Sequence, residues 1–131
     1  MIVLDTHVWI WWVVGDPRFT VGLRTILDAH RGLGIAISAI SCWEVAKLVQ
    51  LGRVGFRVPV GEWLEGAVAH DGCRVLELTP RIAAESAALP GDFHRDPSDQ
   101  IIVATARVWG CPLLTLDRKL LAYPHVDTPA A

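Results

Sequence analysis

Three aliphatic residues, Ile2-Val3-Leu4, run straight into a carboxylate at Asp5, and the pattern turns helical immediately afterwards. A short, wholly apolar run reads as a strand buried on both faces, which is how parallel sheets covered by helices are written. Parallel strands need long crossovers, usually helices, and the chain supplies them. Strand-like runs recur at 35–38, 74–78 and 113–116, and Val126 lies in a candidate last short strand. Helical patterns fill 7–14, 21–31, 60–70, 97–108 and 118–122, a helix opening at Ser41 and one capped by Thr79 with Pro80 at its first position. Strands alternating with helices predict right-handed βαβ units and a parallel sheet.

At 131 residues, with no linker, repeat or low-complexity stretch, the chain reads as a single domain over 1–131. Apolar content of 52% is slightly high and charged content of 20% slightly low, so part of the apolar surface is expected to cover a partner. Six tryptophans are many for this length, and Trp is favoured at interface hot spots. Trp9 and Trp12 share one face of the first helix, and Trp43 and Trp63 add to the aromatic content. The net charge of −2 excludes a nucleic-acid binder that relies on bulk attraction. Any such contact must be local and helped by bound cations. Cys42, Cys73 and Cys111 are scattered without a CxxC pair, which argues against a structural zinc site and for a reducing cytosol. The start MIVLDTHVWIWWVV lacks a basic leader region and is interrupted by Asp5 and His7, and no run reaches the length of a membrane span. The expectation is a cytoplasmic protein.

Acidic residues stand at four element boundaries: Asp5, Glu44, the Asp96/Asp99 pair and Asp117. Each has a structural reading. Asp5, Asp96 and Asp117 suit helix N-caps, Asp99 suits a first helical turn, and Glu44 lies three residues after Ser41, the spacing of a capping box. Those readings leave the shared address unexplained. The carboxyl ends of parallel strands and the helix starts that follow lie along one edge, where open α/β sheets bind ligands. Carboxylates gathered there repel one another unless a cation intervenes, and Mg²⁺ or Mn²⁺ suits an all-oxygen site. Other motifs fail. Gly32-Leu-Gly34 precedes a strand instead of following one, no P-loop exists, Asp5-Thr6-His7 lacks the second Asp of a DxD phosphatase, and no serine triad is supported. The histidines have no metal-ligand spacing. His94 alone is beside an acidic loop, where a solvated histidine is the simpler reading.

The stretches LDTHVWIWW at 4–12, SAISCWEVAKLVQLGR at 38–53, LPGDFHRDPSDQIIVATA at 89–106 and LLTLDRKL at 113–120 together resemble a PIN-domain ribonuclease toxin of the VapC type, from a type II toxin–antitoxin pair. The resemblance covers almost the whole chain in the family's order. It implies a three-layer α/β/α PIN-like domain with a central, mostly parallel sheet of four to five strands. It also implies Mg²⁺- or Mn²⁺-dependent hydrolysis of RNA phosphodiester bonds with one or two ions, a cognate antitoxin on a separate chain, a homodimer and no membrane. The family's four acids match Asp5, Glu44, Asp99 and Asp117, and Asp96 supports the site. Where many relatives read DPxDR, this chain has Gln100 in place of Arg.

On that basis Asp5 and Asp99 are the expected direct ligands. Asp117 and Glu44 ligate directly or through water, and Glu44 is the better candidate to accept a proton. Thr115 falls two residues before Asp117, on the same strand face, and with Thr6 is a candidate to hydrogen-bond an acid or a water. Arg95, Arg118, Lys119 and Lys47 are the cations nearest the acids in sequence and the candidates for substrate binding. For Lys47 an i,i+3 pair with Glu44 is an equal reading. Two rivals stand beside the ribonuclease: a catalytically silent binding module whose acids only cap helices, and a nuclease of the same fold acting on DNA.

Overall fold

In the computed structural model, which describes residues 1–131, the chain alternates strands and helices as β1 (Ile2–Leu4), α1 (Thr6–Val14), α2 (Val21–His30), β2 (Ile35–Ser38), α3 (Ala39–Gln50), α4 (Val60–Val68), β3 (Arg74–Leu76), α5 (Pro80–Ala87), α6 (Pro97–Trp109), β4 (Leu113–Leu114) and α7 (Arg118–Leu121). All four strands are parallel, in the order β3-β2-β1-β4. The strand that opens the chain is therefore central, and its three residues are fully buried.

Successive strand residues point to opposite faces, and this alternation divides the interior in two. Ile2, Leu4, Ile35, Ile37 and Leu114 pack with Trp9 and Trp12 of α1, Leu23 and Leu27 of α2, Val45 of α3 and Ala67 of α4. Val3, Ala36, Leu76 and Leu113 face the other way, onto Ile102, Val103 and Ala106 of α6 and Leu120 of α7. Helices thus cover both faces, giving three α/β/α layers. α1 is apolar on nearly every side because it is buried on nearly every side, with Val8, Trp9, Ile10 and Trp12 all inside. Trp9 meets Trp63 of α4 edge-on at 5.5 Å, and Phe56 stacks on Trp63 at 4.0 Å.

The register ends the strands together. Leu4 is level with Ile37 and with Leu114, and Ser38 is level with Leu76. Ser38 then leaves the sheet to cap α3, and Asp5 leaves it to cap α1. Strands expected at 74–78 and 113–116 consequently stop at Leu76 and Leu114, because beyond those points their neighbours offer no backbone partner. The strand expected at Val126 does not form. The returning chain accepts one backbone bond, from the Leu113 N–H to the Asp127 carbonyl at 2.8 Å, and the flanking Pro124 and Pro129 carry no N–H with which to extend a ladder. The tryptophans divide between core and surface. Trp9 and Trp12 are core residues, whereas Trp43 and Trp109 are about half exposed.

Candidate active site

Ending the strands in line gathers the acids. Asp5 is only 6% exposed. Its Oδ1 accepts the Thr6 N–H at 2.8 Å, so the helix cap read from sequence is made. Its Oδ2 accepts the Thr115 hydroxyl, also at 2.8 Å, across the gap between β1 and the end of β4. Thr115 Oγ1 in turn accepts the Asp117 N–H at 3.0 Å. Thr115 therefore holds two of the predicted acids at once, because it comes level with Asp5 where β4 ends.

Glu44 is positioned differently from the capping-box reading. α3 starts at Ala39 under a Ser38 cap, with the Ser38 Oγ accepting the Ile40 N–H. Glu44 therefore lies more than a turn inside the helix and caps nothing. Ser41 and Glu44, three apart on one helical face, are aimed at Thr6. The Thr6 hydroxyl donates to Glu44 Oε1 at 2.6 Å and lies 2.8 Å from the buried Ser41 Oγ. With its proton committed to Glu44, Thr6 accepts from Ser41. Thr6 thus links α1 to α3, and Ser41 belongs to the site although only its capping spacing drew attention in the sequence.

Asp96 caps α6, accepting the N–H groups of Ser98 and Asp99 and the Ser98 hydroxyl, and Pro97 takes the first helical position. Asp99 is then turned inward and buried. Its Oδ2 lies 2.6 Å from His94 Nε2. His94 is accordingly not a solvated loop residue: it stacks on Phe93 at 4.4 Å, and its carbonyl accepts the Gln100 side-chain amide at 3.2 Å. Gln100 thus ties down the loop that presents His94 to Asp99. Asp117 is exposed and caps α7 through the Lys119 N–H at 2.8 Å.

The predicted cations divide. Arg95, Arg118 and Lys119 are exposed and make no ion pair, so all three are free to meet an anion. Lys47 does not pair with Glu44. Its ammonium donates to Gln50 at 3.1 Å and lies 5.8 Å from the exposed Trp43 ring.

The electrostatics match a crowded acidic site. Burial pushes Asp5 up to about 6, and Asp99 adds repulsion, against lowering by the Thr115 and Thr6 bonds. Burial likewise raises Glu44, with Asp5 and Asp96 adding to it. Asp99 is raised by burial first and then by Asp96 and Asp117, while the His94 bond opposes the shift. Oxygen donors whose charged forms are held at an energetic disadvantage suit a hard divalent cation. As the side chains stand, no three acidic, histidine or cysteine groups close on one point, so the carboxylates fit part of such an ion's shell and water fits the rest. A hollow of about 220 Å³ opens beside Asp5 and Asp117. A larger one, about 320 Å³, lies near the opposite strand ends around Pro112 and Val126 and touches none of these acids.

The chain matches the PIN domain family over residues 2–126. It is 36% identical over 124 residues to Ribonuclease VapC22 of Mycobacterium tuberculosis, covering 95% of this chain and 92% of that one. Among solved structures it resembles VapBC2 from Rickettsia felis bound to a DNA fragment from its promoter, with a TM-score of 0.71 at 15% identity over 98% of both chains. It also resembles FitAcB from Neisseria gonorrhoeae, with a TM-score of 0.68 at 22% identity over 99% of this chain and 97% of the other. The two structural likenesses are likenesses of fold.

Proposed function

Because this chain belongs to the PIN-domain family and is of its VapC ribonuclease type, we propose that it is the toxin of a type II toxin–antitoxin pair, an Mg²⁺- or Mn²⁺-dependent endoribonuclease. The observation that carries this reading is the linkage of acids from distant segments. Asp5, Thr6 and Glu44 are joined across α1 and α3, and Asp5, Thr115 and Asp117 across β1 and β4. Three of the acids cap helices, as a silent module requires. Glu44 caps none, and helix capping gives no reason to bury Asp5 and Asp99 within range of each other's charge.

Asp5 and Asp99 would hold the ion or ions, with Glu44 and Asp117 contributing directly or through water. When bound, the metal supplies Lewis-acid chemistry, activating water and neutralising charge on the phosphodiester. Thr115 and Thr6 keep Asp5 and Glu44 aimed at the site. Glu44, raised by burial, is suited to take the proton lost by the attacking water. Arg95, Arg118 and Lys119 carry unpaired charge for the flanking phosphates. The reading treats residues 1–131 as one domain working in the cytoplasm as a homodimer, restrained by an antitoxin on a separate chain. No helix is long and apolar enough to cross a membrane, and the half-exposed Trp43 and Trp109 offer surface for protein partners.

The test is cleavage of a mixed RNA pool by metal-stripped protein with Mg²⁺ or Mn²⁺ added back, beside folded Asp5→Asn and Asp99→Asn variants and a single-stranded DNA competitor. Metal-dependent RNA cleavage lost in both variants is expected. Cleavage of DNA in preference to RNA would replace the substrate. Activity that survives both substitutions, or a folded protein that neither cuts nor binds either ion by calorimetry, would overturn the reading.

A further inference from the structure

The hollow beside Asp5 has two kinds of wall. It measures about 220 Å³ and is lined by Asp5, His7, Val8, Trp11, Leu116 and Asp117. Asp5 and Asp117 suit an ion or, through one, a phosphate. Trp11 and Leu116 offer nothing to either, since a hydrated ion gains nothing from leaving water for an apolar surface. The apolar half therefore calls for a ligand with an apolar face attached to an anionic group.

The aromatic part of that half is ordered. His7 and Trp11 are four residues apart on α1 and so share one helical face. Their ring centroids are 6.1 Å apart, with the planes inclined at 52°. Arg18 lies over the Trp11 ring at 5.1 Å and is itself forked onto Asp16, through Nε at 3.0 Å and Nη2 at 2.8 Å. Leu116, 38% exposed, supplies a further apolar wall. At about 220 Å³ the hollow is smaller than the roughly 300–1,000 Å³ of pockets for drug-sized ligands. It suits one planar ring system, single or fused, and is too small to seat a partner's helix.

We propose that this hollow takes one unstacked nucleobase of a single-stranded RNA, its face against Trp11 and its polar edge towards His7, next to the phosphodiester held at the acids. The inference rests on the nuclease reading and deepens it: the substrate must be unpaired at this nucleotide. Stacking on an aromatic face accepts any base, so the hollow demands a base without dictating which.

The test is fluorescence anisotropy with a short unstructured RNA and a set of the same RNA carrying one abasic nucleotide at each position in turn. The Asp99→Asn protein is used, which leaves the lining of the hollow intact and stops turnover. One abasic position is expected to weaken binding by about 5- to 150-fold, the range for one base stacked on an aromatic ring. Trp11→Leu, which keeps apolar bulk without a π face, should abolish the penalty at that position. Trp11→Phe should keep most of it. His7→Ala, at an exposed position where folding is not at risk, should reduce it at the same nucleotide. A flat abasic scan, or a penalty unchanged in Trp11→Leu and His7→Ala, would overturn the proposal and leave the hollow to a side chain of a protein partner. The two readings fail separately. RNA bound with the expected base dependence but never cut by wild type would sink the nuclease and spare the hollow, whereas cleavage without base dependence would do the reverse.

Discussion

Replacing Asp5 by Asn is expected to make the metal-free protein more stable at neutral pH, although it removes the central acid of the proposed site. Asp5 is 6% exposed, and its pKa rises from an ordinary 3.8 to about 6 on folding. The folded state therefore binds the Asp5 proton more tightly than the unfolded chain does. The stability this proton confers is fully present below about pH 3.8 and is lost as pH climbs to about 6, with no further change above. At 1.36 kcal/mol per unit the loss is about 3 kcal/mol. Asn keeps the oxygen that caps Thr6 but disturbs the bond from Thr115, which returns about 1 kcal/mol. The net gain is about 2 kcal/mol above pH 6. Relief of Glu44, which Asp5 also raises, acts in the same direction. The assay is urea denaturation of both proteins in chelator from pH 3.5 to 8. The wild type should fall behind as pH rises through 3.8 to 6. Adding Mg²⁺ or Mn²⁺ at about a hundred times its dissociation constant should restore about 2.7 kcal/mol to the wild type alone. An Asp5→Asn protein that is less stable than wild type at pH 7.5 in chelator, or a difference independent of pH, would refute the reasoning.

Three further outcomes separate the roles of neighbouring groups. Thr115→Val removes the donor to Asp5 and the acceptor for the Asp117 N–H, so it should raise the Asp5 pKa further and lower stability by about 1–3 kcal/mol; NMR titration of the carboxyl and denaturation read the two effects, and an unchanged midpoint would contradict the geometry. Asp117→Asn keeps a cap on α7 while removing a charge, so it should melt like wild type but lose metal-dependent cleavage, whereas Asp117→Ala should lose both, at about 0.5–2 kcal/mol for the cap; equal activity in wild type and Asp117→Asn would reduce Asp117 to a cap. His94→Ala removes the bond that lowers Asp99, so the Asp99 midpoint should move upward in a carboxyl NMR titration; a downward move would show that His94 does not hold the carboxylate.

The chain's local chemistry was enough to write most of its elements. Thr79-Pro80 and Asp96-Pro97 are caps followed by a first helical position, and both are made as the sequence predicts. Ile2-Val3-Leu4 and 35–38 are short apolar runs that suit strands buried on both faces, and they form the middle of the sheet. The address of the acids followed from the same reading, since in a parallel sheet the residue after each strand falls on one edge. Caps and periodicity act between near neighbours, so a sequence displays them directly.

What the sequence left open depended on partners far along the chain. Glu44 has the same spacing from Ser41 whether the pair caps a helix or faces a distant hydroxyl. Only the packing of α1 against α3 brings Thr6 to Glu44, 38 residues away. Thr115 meets Asp5 across 110 residues because β4 pairs with β1 and ends level with it. The lengths of β3 and β4 were set by where their neighbours leave the sheet, not by their own composition. Exposure of the tryptophans was decided likewise: the core claims Trp9 and Trp12 and leaves Trp43 and Trp109 outside. The sequence by itself determined which residues could serve as ligands, caps and core. Tertiary structure alone decided which of them touch, because hydrogen bonding, burial and mutual repulsion depend on distances that pairing register and layer packing create.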